Sequence, residues 1–141
     1  MSPDLIRRAN GTQATLNKFR GKPFAWEKGS HCAALLRFHL KKLGHPVPPM
    51  PAFRSAIGAR RALDSLDCTD MGDVLAKLLK RPQIAPAAML MGDVVIAESE
   101  AGLGSVFICA GPHKVFGWTE DTPRLCVWDA PFDQFEKAFR V

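Results

Sequence analysis

The spacing of apolar residues changes once along the chain, and that change constrains the fold more than any motif does. Before Pro82 apolar side chains recur at helical intervals; after Gly92 they come in short runs broken by turns. Helices first and strands afterwards argue against an alternating parallel α/β architecture. They point to the α+β class, with N-terminal helices packed on a C-terminal antiparallel sheet. At 141 residues the chain suits one domain, which we take as residues 1–141. Within it the reading separates a helical arm (1–21), a helical half (22–91) and a β-meander half (92–141).

The spacing predicts a first helix over about Gly11 to Arg20, with Leu16 and Phe19 on one face, stopped by Gly21 and Pro23. Phe24 and Trp26 alternate over a short extended stretch that ends in the turn Lys28-Gly29. Ser30 is the expected N-cap of the strongest helix. There Cys32, Leu35, Leu36, His39, Leu40 and Leu43 form one stripe, with Arg37, Lys41 and Lys42 opposite. Gly44 closes it. Four prolines between 46 and 51 make residues 45–51 a stiff extended linker. A third helix is expected from Phe53 to Leu66 with Ile57, Leu63 and Leu66 inward. A fourth, capped by Thr69 or Asp70, carries Met71, Val74, Leu75, Leu78 and Leu79. Strands are expected over 92–97, 105–110, 113–118 and 124–128, with Phe132, Phe135 and Phe139 in a closing helix or strand.

The formal charge of +5 suits anionic surroundings, or simply a solvated basic surface. The basic residues are scattered, and no recognition helix, zinc finger or stacking motif accompanies them, so sequence-specific nucleic-acid binding is not expected. The start of the chain has no apolar signal region and no stretch is long enough to span a membrane. Cysteines at 32, 68, 109 and 126 show no paired spacing. They are expected as thiols, with no structural zinc and no cofactor.

Cys32 is the first chemical candidate. In the first turn of a helix it meets free N–H groups and the positive pole, both of which favour thiolate. The competing reading is a small buried side chain on the inner face of a helix. His31 adjoins Cys32 but projects about a quarter-turn away. His39 falls on the buried stripe, His45 lies at a helix end, and His113 lies in a hairpin turn. Trp26, Trp118 and Trp128 read as core or interface anchors. Asp93 reads as a turn or hydrogen-bonding residue at a strand start. Cys68, Cys109 and Cys126 read as small hydrophobes.

Phe24-Ala25-Trp26, the glycine turn and His31-Cys32-Ala33 resemble the segment that places the nucleophile in NlpC-type peptidases. Gly92-Asp93-Val94-Val95 is similar to the strand that follows there. The resemblance implies a papain-like fold in which Cys32 would be the nucleophile. From about Lys22 onward the chain also resembles an uncharacterised family of phage tail-cluster proteins. The likeness runs through Pro48-Pro49-Met50-Pro51, Phe53-Arg54-Ser55, Gly58 to Leu63, Ile84 to Ala87 and Ala138 to Val141.

Two departures from the peptidases stand out. His31 occupies the place of their usual aspartate, and Ser105 the place expected for the catalytic histidine. Serine cannot accept a thiol proton at neutral pH, so the resemblance implies a broken dyad, with His113 as the substitute base. It further implies a virion tail component made in the host cytoplasm, working through contacts with other tail-tip or hub proteins. An active cysteine peptidase or amidase acting on peptidoglycan is the alternative. A groove formed by Trp26, His31 and Trp118 and used for peptide or glycan binding is a third reading.

Overall fold

Ser2, Pro3 and Asp4 supply a helix N-terminus: an N-cap hydroxyl accepting from the Leu5 N–H, proline in the first turn and an acid at the positive pole. In the computed structural model, which describes residues 2–99, 102–119, 121 and 123–141, the first helix (α1) accordingly runs Pro3–Phe19. It starts well before the expected Gly11. The second helix, α2 (Cys32–Lys42), packs against α1 at Gly11, where an added Cβ would lie 2.7 Å from Leu43 Cδ2. The missing side chain allows that approach. Leu16, Phe19, Leu35, Leu36 and Leu40 are all buried at this junction.

Two helical expectations are corrected. The N-cap of α2 is His31, whose ring nitrogen accepts from the Ala34 N–H, and not Ser30. The third helix, α3 (Ala56–Ser65), starts after the Ser55 cap rather than at Phe53. Its stripe passes through Ala59, Ala62 and Leu63, which leaves Ile57 68% exposed instead of inward. Asp70 caps α4 (Met71–Asp73), which continues as a π-helical turn over Val74–Leu78, closed by the Leu79 N–H on the Val74 carbonyl.

The strands are β1 (Gln83–Ile84), β2 (Val94–Ala97), β3 (Ser105–Gly111), β4 (Lys114–Gly117), β5 (Cys126–Asp129) and β6 (Lys137–Phe139). Their order is β1-β6-β2-β3-β4-β5, with every pair antiparallel. The expected meander is present as β2 to β5. The chain end then returns as β6 to the other side of β2, with β1 beyond it. Side chains alternate across the sheet. Val94, Ile96, Val106, Ile108 and Phe116 face the helices, while Val95, Phe107, Cys109 and Val115 pack with Met89, Phe132 and Ala138 on the opposite face.

Two buried polar centres join the layers. Asp93 is fully buried at the start of β2. Its Oδ1 accepts from Arg8 Nη1 at 2.9 Å and the Val141 N–H at 3.1 Å, and its Oδ2 from the Leu90 N–H at 2.8 Å. Arg140 Nε lies 3.3 Å from Oδ2. One carboxylate therefore ties α1, β2 and the residues after β6.

His39 is the second centre, and it is also fully buried. A carbonyl can only accept, so its Nε2–H donates to Gly92 O at 2.8 Å, and Nδ1 lies 2.9 Å from the Thr15 hydroxyl, which is also within hydrogen-bond reach of the Gly11 carbonyl. Burial holds this imidazole neutral and pushes its pKa down to about 4. The unfolded chain takes up the proton near its ordinary value of about 6.5. Stability from neutral His39 is thus complete above that value and is lost as pH falls towards 4. The expected loss is on the order of 3 kcal/mol, seen in urea unfolding at stepped pH. In His39→Gln the loss over that window is expected to flatten; an unchanged slope would refute the assignment.

Among the described residues no helix is long and apolar enough to cross a membrane. All four cysteines are free thiols.

Candidate active site

The N-terminus of α2 points its first residue into a cleft between the helical half and the start of β3. Cys32 and Ser105 both line this cleft, which has a volume of about 790 Å³. Their meeting follows from the fold. The turn Glu27-Lys28-Gly29, with Gly29 at φ +73, reverses the chain, and an Ala25–Ser30 bridge sets the start of α2. The β2–β3 pairing then brings Ser105 opposite Ala97 at the same end of the sheet.

The sulfur is not poised as a thiolate. Burial pushes the Cys32 thiol above its usual range, and the backbone N–H groups of Val106 and of Cys32 itself offset only part of that. These N–H groups favour negative charge on the sulfur. What is missing beside them is a base. None of the chain's four histidines lines the cleft.

His31 is nearest in sequence, yet its chemistry is committed elsewhere. The ring stacks on Trp26 at 5.3 Å and lies 4.8 Å from the Phe53 ring. Nδ1 accepts from the Ala34 N–H at 3.2 Å, and burial lowers its pKa. A neutral ring that accepts at Nδ1 carries its proton on Nε2, so no lone pair is left for a thiol proton. His31 therefore lies behind Trp26 and Phe53, outside the cleft lining, as a cap and a stacking partner.

The structure does not bring His113 to Cys32. It occupies the β3–β4 turn at φ +53, where Nδ1 accepts from the Phe132 N–H at 3.0 Å and the ring rests on Phe132. Ser105 and Gly111 stand at opposite ends of β3, about 20 Å apart at strand rise. Proton transfer needs hydrogen-bond reach, so this distance removes His113 from the cleft. His39 lies under the α1–α2 junction, and His45 beside Arg81.

Of the expected groove residues Trp26, His31 and Trp118, the two tryptophans line the cleft and His31 does not. Trp26 and Trp118 are joined through Phe24 by edge-to-face contacts at 5.1 and 5.7 Å. Trp118 Nε1 donates to the Lys22 carbonyl, which fixes its ring. Trp128 packs on Phe107 on the other side of the sheet. Phe53 and Glu98 also line the cleft; the sequence marked Phe53 only as a helix start and part of a family likeness, and did not mark Glu98. A proline run just before Phe53 hinted at a fixed position, but the contact with His31 spans the linker. Among the described residues no His/Cys/Asp/Glu cluster could hold a metal ion.

The fold, helices packed against an antiparallel sheet, is shared with solved structures named as peptidoglycan hydrolases. The NlpC/p60 domain of the peptidoglycan hydrolase SagA superposes with a TM-score of 0.58 at 14% identity, covering 94% of this chain and 98% of that one. The peptidoglycan hydrolase RipB from Mycobacterium tuberculosis superposes with a TM-score of 0.56 at 13% identity, over 99% of this chain and 68% of that one. At such identities the likeness establishes the papain-like α+β fold and nothing finer. No curated protein matches the chain. Residues 6–141 match the family described as "Domain of unknown function (DUF6950)", and with nearly the whole chain covered, the protein belongs to that family.

Proposed function

We propose that this domain is a papain-like module that does not hydrolyse its ligand, and that it serves as a structural component of a phage or prophage-derived tail tip. The observation that carries the first half is the pairing of Cys32 with Ser105 in a cleft that no histidine lines. A cysteine nucleophile needs a base within hydrogen-bond reach or a depressed pKa, and here burial moves the thiol the other way. The second half rests on the sequence resemblance to tail-cluster proteins. The reading places the protein in the tail, assembled from the host cytoplasm, with other tail-tip or hub proteins as neighbours.

The alternative is an active cysteine peptidase or amidase acting on peptidoglycan. It draws on the fold shared with two proteins named as peptidoglycan hydrolases and on the N–H groups beside the Cys32 sulfur. Incubation with purified peptidoglycan separates the two. We expect no soluble fragments above the Cys32→Ser background between pH 6 and 9; release that this substitution abolishes would establish the peptidase. Mass spectrometry of purified particles tests the location. The protein should appear at a fixed ratio to other tail proteins, and its absence would sink the tail assignment.

A further inference from the structure

The same cleft has a composition that suits a particular ligand. Its lining is mainly apolar and includes Leu63, Leu66, Met71, Leu103, Trp26 and Phe53. The lining also carries the small hydroxyls of Ser99 and Ser105. In a protein of formal charge +5, no lysine or arginine among the described residues lines the cleft, and the charged residue that does is Glu98, exposed. A ligand rich in carboxylates would meet an acid and no cation there, and would strand its own charge against apolar walls. The volume of about 790 Å³ lies within the usual range for ligand sites. It could hold two or three large side chains.

We propose that this cleft is a socket for an apolar peptide segment of a partner protein, flanked by a basic residue that meets Glu98. An apolar lining that also carries the Ser99 and Ser105 hydroxyls matches a peptide, whose side chains are apolar and whose backbone seeks hydrogen bonds. A bare alkyl chain would leave the hydroxyls unused. Met50 and Met71, unbranched and adaptable, allow side chains of differing shape to seat. The proposal names the partner of the cleft under the non-hydrolytic reading and rests on that reading for the peptide's survival.

Trp26 and Trp118 line the cleft and report its occupancy by fluorescence. The full chain is titrated with acetyl-Leu-Phe-Leu-Lys-amide, with its Glu counterpart and with decylamine. The Lys peptide should give a saturable change and bind about two- to five-fold more tightly than the Glu peptide, the range of an exposed ion pair. Glu98→Gln, at an exposed position, should bring the two peptides together. Leu66→Arg should weaken both at least ten-fold, with circular dichroism confirming that it stays folded.

No saturable change with either peptide, tighter binding of the Glu peptide, a preference that survives Glu98→Gln, or saturation by decylamine alone would each overturn the proposal. Mass spectrometry of the recovered peptide reports on the other reading separately. An intact peptide agrees with a non-hydrolytic cleft, whereas a cleaved one would overturn that reading while leaving peptide binding in place.

Discussion

Replacing Asp93 with alanine is expected to cost about 3–5 kcal/mol, because it strands a buried arginine and several N–H donors at once. Arg8 is only 4% exposed, and its guanidinium lies between Asp93 and Asp4. Asp4 is exposed and screened, so it cannot replace a fully buried carboxylate. The Leu90 and Val141 N–H groups would lose their acceptors in the same step. For a chain of this size the loss corresponds to a Tm lower by roughly 10–20 °C.

Asp93→Asn should be milder in shape but still leave Arg8 uncompensated. Joining Arg8→Met to it removes both charges together and should recover part of the loss. A coupling energy above about 1 kcal/mol in urea unfolding is expected for groups in direct contact. Additivity of the two single changes would show that the pair is not the centre described here.

The second large effect concerns the cleft. In the wild type, alkylation of Cys32 is expected to be slow at pH 7 and to rise only above the ordinary thiol value of about 8.5. Burial raises this thiol, so the sign of the pH dependence is fixed: reactivity grows as pH passes the elevated value. Placing a histidine opposite it through Ser105→His should move the profile to lower pH. An imidazolium beside the sulfur stabilises the thiolate, so the thiolate fraction at pH 7 rises. Lower basicity takes back part of that in nucleophilicity, leaving a net gain of roughly a few-fold. An unchanged rate and profile in a folded Ser105→His variant would mean that residue 105 does not face the sulfur. The Cys32→Ser control identifies which of the four thiols reports.

How far the sequence was legible depended on distance along the chain. The α2 stripe and the β2–β5 meander are local patterns, and both are present. The start of α1 was also local, in Ser2-Pro3-Asp4, but its first turns carry few buried apolar residues and so lacked the periodic signal. Ile57 turned outward because, at about 100° per residue, it lies roughly 120° from Leu63 and about 180° from Leu66 around α3. Asp93 read as a turn residue since its partners, Arg8 and Val141, lie 85 positions before and 48 after it. The His31 cap was hidden by a serine, the commoner cap, directly before it. In the site, Cys32 and Ser105 could be placed by resemblance. The isolation of His113 depended on β3 register and length, which no single residue reveals.

The position of β6 has a consequence for how the chain is made. Val94 and Phe139 face each other as neighbours in the sheet although 45 residues separate them. At about 5–20 residues per second, a ribosome takes roughly two to nine seconds to make that stretch. Throughout this interval β2, an apolar run of Val94, Val95, Ile96 and Ala97, has no partner on one side. Its unpaired backbone is a template for mispairing with another nascent chain. Yield in a cell would therefore depend on translation speed and holding chaperones during those seconds, more than on the stability of the finished fold.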